Sequence, residues 1–229
     1  MRGKFGHDGK MKNPISRRSA IVTGILGGAG MIALPQLSSA IGPTPPETEG
    51  PFYPVRPQKD KDFDLTQVEG KAGKAEGDII EVRGRILDVD GEPISDATVD
   101  LWQANAAGKY DHPRDPNPAK IDPNFQGWAI VPSGEDGGFK FKTIKPGAYP
   151  ATRDWDRPPH IHFKISKAGF QPLTTQMYFP GDPLNEKDLL IKRKSAENQK
   201  LMMSEEVEEG VFTWDIYLAP KGKRGPQAD

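Results

Sequence analysis

The sequence predicts an all-β domain, a β-sandwich with long loops, and three observations carry that reading. The chain has 25 glycines and 23 prolines in 229 residues, which breaks it too often for a helical bundle and suits many turns. Several segments of six or seven residues alternate apolar and polar side chains, the two-residue period of a half-buried strand. Asp-Gly and Pro-Gly turn signals fall between those segments. With 35% hydrophobic residues the chain can bury one substantial core.

Residues 41–76 open with Gly42-Pro43-Thr44-Pro45-Pro46-Glu47 and run through a charged Lys/Asp stretch, Lys59 to Asp64. They read as an extended arm and loop ahead of a body at 77–229. Ile80, Val82, Gly84 and Ile86 alternate with Glu81, Arg83 and Arg85 and predict the first strand. Asp90-Gly91 makes a turn that Pro93 closes. Strands are predicted at Thr98–Gln103, at Gly138–Ile144 before the turn Lys145-Pro146-Gly147, at His160–Ser166 and at Thr174–Phe179. Asn185–Met203 has helical composition but irregular apolar spacing, compatible with a short helix or a loop. Phe212, Trp214, Ile216 and Leu218 alternate with Thr213, Asp215 and Tyr217 and predict one closing strand.

Residues 1–40 read as an address. Ser16-Arg17-Arg18-Ser19 precedes an apolar, glycine-rich stretch from Ala20 to about Leu34, and Ser38-Ser39-Ala40 supplies small residues for cleavage. This pattern is that of a twin-arginine export signal cut after Ala40, and it predicts a periplasmic or secreted protein. The apolar stretch is short for a bilayer span of about 20 residues. Met11 stands close ahead of the arginine pair as a second possible start.

Whole-chain charge is −1, but residues 1–40 hold six Lys/Arg against one Asp. Residues 41–229 therefore carry 25 Lys/Arg against 31 Asp/Glu, a net near −6. That balance argues against nucleic acid or an anionic membrane as a partner of the body. No cysteine is present, so disulfides, thiolate nucleophiles and thiolate metal ligands are excluded. Any metal must be held by nitrogen and oxygen.

His160-Ile161-His162-Phe163 uses two of the four histidines. Side chains two apart on a strand share a face, so both imidazoles can reach one ion while Ile161 and Phe163 turn to a core. The same pair also suits an ordinary surface strand. Around it, six phrases occur in order: Thr48-Glu49-Gly50-Pro51-Phe52-Tyr53, Leu101 to Tyr110, Asp122-Pro123-Asn124-Phe125, Lys145 to Pro150, Arg157 to Phe163, and Gln176 to Asp182. Together they resemble the intradiol ring-cleavage dioxygenases and, within them, the iron-binding beta subunits of protocatechuate 3,4-dioxygenase. The resemblance runs from about Thr44 to Leu218.

The resemblance implies a prealbumin-like β-sandwich and a mononuclear Fe(III) held by Tyr110, Tyr149, His160 and His162. Fe(III) favours anionic oxygen donors, and a phenol with an ordinary pKa of about 10 needs a strong nearby charge to ionise at neutral pH. It implies that a catechol-type diol binds the ion through both hydroxyls, displacing Tyr149. Dioxygen then cleaves the ring between the hydroxylated carbons to a muconate-type diacid. Protocatechuate, catechol and hydroxyquinol are the substrate types in view. Arg157 would stabilise negative charge on the ring, and Gln176 would contact substrate or an intermediate.

Trp102 and Gln103 are expected to be structural, His112 to sit at the surface by default or else to line the cleft, and the carboxylates of Asp111–Asp122 to be solvated. One departure stands out: Tyr149 is followed by Pro150-Ala151, where protocatechuate enzymes commonly carry Pro-Trp, and Trp155 is displaced. The stretch Arg83–Ile94 also resembles transthyretin-like binding modules, which need no metal set, and family members form both homo- and hetero-oligomers.

Overall fold

The structure, a computed structural model, describes residues 41–56, 58 and 60–222. The arginine pair, the apolar stretch behind it and the cleavage site after Ala40 lie outside the described residues. Among the described residues eleven strands form, with one short helix. The strands are β1 (Ile79–Asp88), β2 (Thr98–Trp102), β3 (Trp128–Pro132), β4 (Gly138–Ile144), β5 (Tyr149–Thr152), β6 (Trp155–Arg157), β7 (His160–Ser166), β8 (Leu173–Tyr178), β9 (Glu205–Glu208), β10 (Val211–Thr213) and β11 (Ile216–Leu218).

One sheet is organised on β1, which pairs antiparallel with β4 and parallel with both β10 and β11. The other runs β3-β2-β7-β8, antiparallel throughout. Their inner faces meet in one apolar core: Val82, Phe139, Phe141 and Phe212 from the first sheet against Val99, Leu101, Ile161, Phe163 and Met177 from the second. Phe163 packs on Phe139, Phe141 and Trp214 at ring separations of 5.0–5.9 Å. The alternation predicted for β1, β4 and β7 therefore sorts core from surface as expected. Gln103, at the end of β2, ties the sheets together through Thr143 Oγ1 and Ile144 O on β4.

The single closing strand expected over Phe212–Leu218 is two. β1 pairs first with β10 through Glu81–Arg83 and then with β11 through Ile86–Asp88. Trp214-Asp215 is the break, and Trp214 N donates to Arg83 O there. Phe212, Trp214, Ile216 and Leu218 all stay buried, so the alternation survives the change of pairing. Four strands have no counterpart in the sequence reading. They are β3, a largely apolar run ending in proline; the hairpin β5–β6, with a bulge between Pro150 and Thr152; and β9, four exposed residues at a sheet edge. The segment Asn185–Met203 resolves into two 3-10 turns, Asn185–Lys187 and Ile191–Arg193, and helix α1 (Ala196–Met202). Ser195 caps α1 by accepting from Asn198 N.

Part of the arm is tied to both sheets. Thr44 N donates to Tyr217 O, Glu47 N to Thr174 O, and Thr175 Oγ1 to Pro45 O. These bonds carry residues 48–53 across the outer face of β7 and β8. Among the described residues no helix is long and apolar enough to cross a membrane.

The change of pairing at Trp214 depends on Gly84. A Cβ at Gly84 would sit 1.8 Å from Trp214 O, backbone that has no free direction to move. Gly84→Ala should therefore cost at least about 2–3 kcal/mol. Gly42→Ala, where nothing lies within 4 Å, should stay within about 0.5 kcal/mol. Denaturant midpoints of the two variants check this, and equal midpoints would refute it.

Candidate metal centre and active site

The outer face of β7 carries the site. Ile161, Phe163 and Ile165 point into the core, so His160 and His162 share the opposite face, where the arm and loops bury them. Their Nε2 atoms face each other at 3.2 Å. His160 Nδ1 donates to Pro158 O at 2.6 Å, which leaves its Nε2 with the lone pair. His162 is stacked on Trp102 of the neighbouring strand at 4.7 Å and 10°, which fixes its ring plane.

The tyrosines arrive from two loops that touch. Tyr110 follows β2 in a long loop, and Tyr149 begins β5. Asn105 organises the first loop: its Oδ1 accepts from Ala107 N and Lys109 N, and its Nδ2 donates to Lys120 O. Its carbonyl oxygen also accepts from Gly147 N at 2.9 Å, joining the second loop to the first. Gly147 is required by that approach, because a Cβ there would lie 2.3 Å from Ala106 O and 2.6 Å from Gly108 N. Asp115 completes the hold by accepting from Tyr110 N at 2.7 Å.

The outcome is one buried cluster. The Tyr110 ring lies 5.5 Å from Tyr149 and 6.1 Å from His162, and Tyr149 lies 5.7 Å from His160. The Tyr110 hydroxyl is buried without a hydrogen-bond partner of normal geometry. Burial pushes the Tyr110 phenol well above its usual range, with the Tyr149 phenol adding to it. Burial also raises Tyr149, and the Arg157 guanidinium opposes that rise. Both histidines are held well below the usual imidazole range, by burial first and then by Arg157.

Four neutral donors, two nitrogen and two oxygen, thus converge with an orphaned phenol among them. Such a set suits a hard, highly charged cation that would ionise the phenols. Among the described residues no group of three or more His, Asp or Glu side chains could hold a metal ion, so a centre here would need the tyrosines.

Beside the cluster lies Arg157, paired across the hairpin with Tyr149. It is no surface arginine: only 4% of it is exposed. Its Nε donates to Asp188 Oδ2 at 2.6 Å, and its Nη2 to Gln176 Oε1 at 2.6 Å and Tyr178 Oη at 3.0 Å. Gln176 Nε2 donates to Thr48 O at 3.0 Å, so both ends of that amide are engaged. Asp188 Oδ1 accepts from Leu190 N and Ile191 N. Asp188 escapes a sequence reading because its partner is 31 residues away and no motif surrounds it; its place just ahead of an apolar Leu-Leu-Ile run was the only available sign.

A cleft of about 330 Å³ opens onto Tyr149, Arg157 and His162, walled by Phe52, Pro116, Ala151, Trp155 and Leu190 among others. Phe52, from the arm, lies 5.0 Å from Tyr110 and 6.3 Å from Tyr149. Two expectations fail nearby. His112 is buried, under Phe52 at 5.7 Å, with its Nδ1 accepting from Arg114 N. The carboxylates of Asp111–Asp122 are not simply solvated. Asp115 and Asp122 accept backbone N–H groups of their own loop, and Asp111 pairs with Arg56 at 2.8 Å. Loops of this length hold shape only by such internal bonds. Trp102 is packed as expected.

Residues 48–220 match the family model described as Dioxygenase. The chain is 46% identical over 138 residues to the protocatechuate 3,4-dioxygenase beta chain of Burkholderia cepacia, covering 58% of each protein. It is 35% identical over 133 residues to a hydroxyquinol 1,2-dioxygenase of Rhizobium sp. (strain MTP-10005), covering 52% of this chain and 44% of that one. The chain thus spans about half the length of these curated relatives. Among solved structures it resembles the dioxygenase domain of a dioxygenase carbohydrate-binding protein fusion from the cellulolytic bacterium Streptomyces sp. SirexAA-E. That likeness has a TM-score of 0.58 at 28% identity, covering 78% of this chain and 99% of that domain. With the family model spanning most of the sequence, the chain belongs to the intradiol ring-cleavage dioxygenases.

Proposed function

We propose that this protein is a non-haem Fe(III) dioxygenase that cleaves a catechol-type ring between its two hydroxylated carbons. Both atoms of dioxygen enter the product, a muconate-type diacid. The observation that carries the reading is the convergence of Tyr110, Tyr149, His160 and His162 at the floor of the cleft, next to Arg157. Those four side chains would hold the iron, which when bound supplies the Lewis acidity that activates a chelating diol toward dioxygen.

The remaining chemistry belongs to the chain. Tyr149 lines the cleft; it would be a phenolate with the ion bound and would then take up one of the protons the diol releases. Arg157, fixed by Asp188, steadies the negative charge that develops on the ring. Gln176, engaged at both ends, orients Arg157. Phe52 and Trp155 help wall the cleft and exclude water. The prealbumin-like assignment of the two sheets belongs to the same reading, supported by the chain's likeness in fold to solved dioxygenases. A transthyretin-like binding module would need no such donor set. The relative named as a beta chain supports an oligomer, homomeric or with a second type of chain.

Purified protein should contain one iron per chain and show a visible phenolate-to-iron charge-transfer band. Tyr110→Phe and Tyr149→Phe should shift or weaken that band, and His160→Ala or His162→Ala should release the iron. A colourless protein with zinc as its stoichiometric metal would contradict the proposal.

Arg157 separates charge stabilisation from folding. Arg157→Lys keeps a cation beside Asp188 but loses the fork to Gln176 and Tyr178. It should retain the visible band while kcat falls about 10²-fold. Arg157→Leu leaves the buried Asp188 unpaired and should destabilise the fold by about 3–5 kcal/mol. Unchanged kcat in Arg157→Lys, from oxygen-uptake assays, would remove Arg157 from the mechanism.

We infer that Arg17 and Arg18 direct the folded protein through the twin-arginine route, with cleavage after Ala40. Export in the folded state suits a protein that acquires its iron before crossing. Replacing both arginines by lysine should leave the precursor in the cytoplasm, read by fractionation and immunoblotting. Unimpaired export of that variant would refute the assignment.

A further inference from the structure

We propose that the cleft selects an uncharged catechol, one whose far edge carries hydrogen, alkyl or aryl groups and no carboxylate. This rests on the dioxygenase reading above and narrows it to a substrate class. A diol bound against Tyr149 and His162 points its opposite edge at the outer wall, and that wall is apolar: Phe52, Pro116, Ala151, Trp155 and Leu190. The cleft volume of about 330 Å³ lies at the small end for ligand sites and suits a single ring.

A ring carboxylate is ionised at neutral pH, so burying it there calls for a fixed positive partner. Among the described residues Arg157 is the only cation lining the cleft, and it stands beside Tyr149, where the proposed mechanism uses it, with its side chain already held in place. Asp188, fully buried, sits 2.6 Å from its Nε, and Gln176 and Tyr178 hold its Nη2. Arg153, in the turn between Ala151 and Trp155, is exposed and does not line the cleft. Arg114 is exposed and donates to Pro51 O at 3.3 Å, and Arg56 pairs with Asp111. Trp155 Nε1 is buried without a partner, but one neutral donor offsets only part of the cost of desolvating a full charge. Placing a carboxylate against this wall therefore carries a desolvation cost that a methyl group in the same position avoids.

The test compares two ligands of similar size, 4-methylcatechol and 3,4-dihydroxybenzoate, on the iron-loaded full-length protein. Oxygen uptake gives kcat/KM, and anaerobic titration calorimetry gives Kd. We expect 4-methylcatechol to be favoured at least about 10²-fold in kcat/KM, with most of the difference in Kd. Ala151→Arg places a cation at an exposed rim position, so folding is not at issue. It should lower the Kd of 3,4-dihydroxybenzoate about tenfold relative to that of 4-methylcatechol. Equal or better use of 3,4-dihydroxybenzoate by the wild-type protein would overturn the inference while leaving the dioxygenase reading intact. No uptake and no binding of either compound would overturn the dioxygenase reading itself, and this inference with it.

Discussion

The register of β7 between β2 and β8 is the constraint on which the rest depends. Its seven residues serve two environments at once. Ile161, Phe163 and Ile165 have no solvent exposure and lie between the sheets. His160 and His162 lie opposite Tyr178 and Gln176 on one side, and His162 lies opposite Trp102 on the other. A slip of one residue would exchange the two faces. It would place imidazoles in the core and expose three large apolar side chains, each worth about 1.5–3 kcal/mol of burial. The hydrophobic core thus sets the position of the histidines more firmly than any bond the histidines make themselves.

The rest of the site is brought to that fixed strand by loops that stay rigid without regular structure. Asn105 joins the Tyr110 loop to the Tyr149 turn, and both turns are close enough that only glycine fits at position 147. Arg157 follows from the hairpin register, since it pairs directly with Tyr149, and its charge is balanced by Asp188 in the same buried layer. Burial holds phenols and imidazoles neutral in this pocket. The arrangement is therefore a set of neutral donors poised beside a compensated guanidinium. A highly charged cation would draw the protons from the phenols and convert the pocket into an anionic oxygen site.

Much of this was legible in the sequence wherever one residue type answers to one environment. Alternation marked β1, β4 and β7, because one face of each meets the core and the other does not. Tyrosine and histidine in ordered phrases marked the site, because those side chains carry the chemistry themselves. Legibility failed where partners decide. β3 looks like an apolar run and β9 like a charged loop, yet backbone pairing makes both strands. Trp214-Asp215 breaks the last strand without disturbing its alternation, since the break follows from the approach of Gly84, 130 residues away from Trp214 in sequence. His112 reads as a surface residue until Phe52, from the arm, covers it. Asp188 has no local signature at all; only the fold puts a guanidinium beside it.

The central claim is that four side chains from three segments of the chain form one iron site. Crystals of protein purified from iron-replete cells, measured at wavelengths on either side of the iron absorption edge, test it most directly. The account predicts a single anomalous difference peak enclosed by the hydroxyls of Tyr110 and Tyr149 and the Nε2 atoms of His160 and His162. An iron peak elsewhere, for example among the carboxylates of the Asp111–Asp122 loop, or iron-bearing crystals with no peak between those four residues, would contradict it.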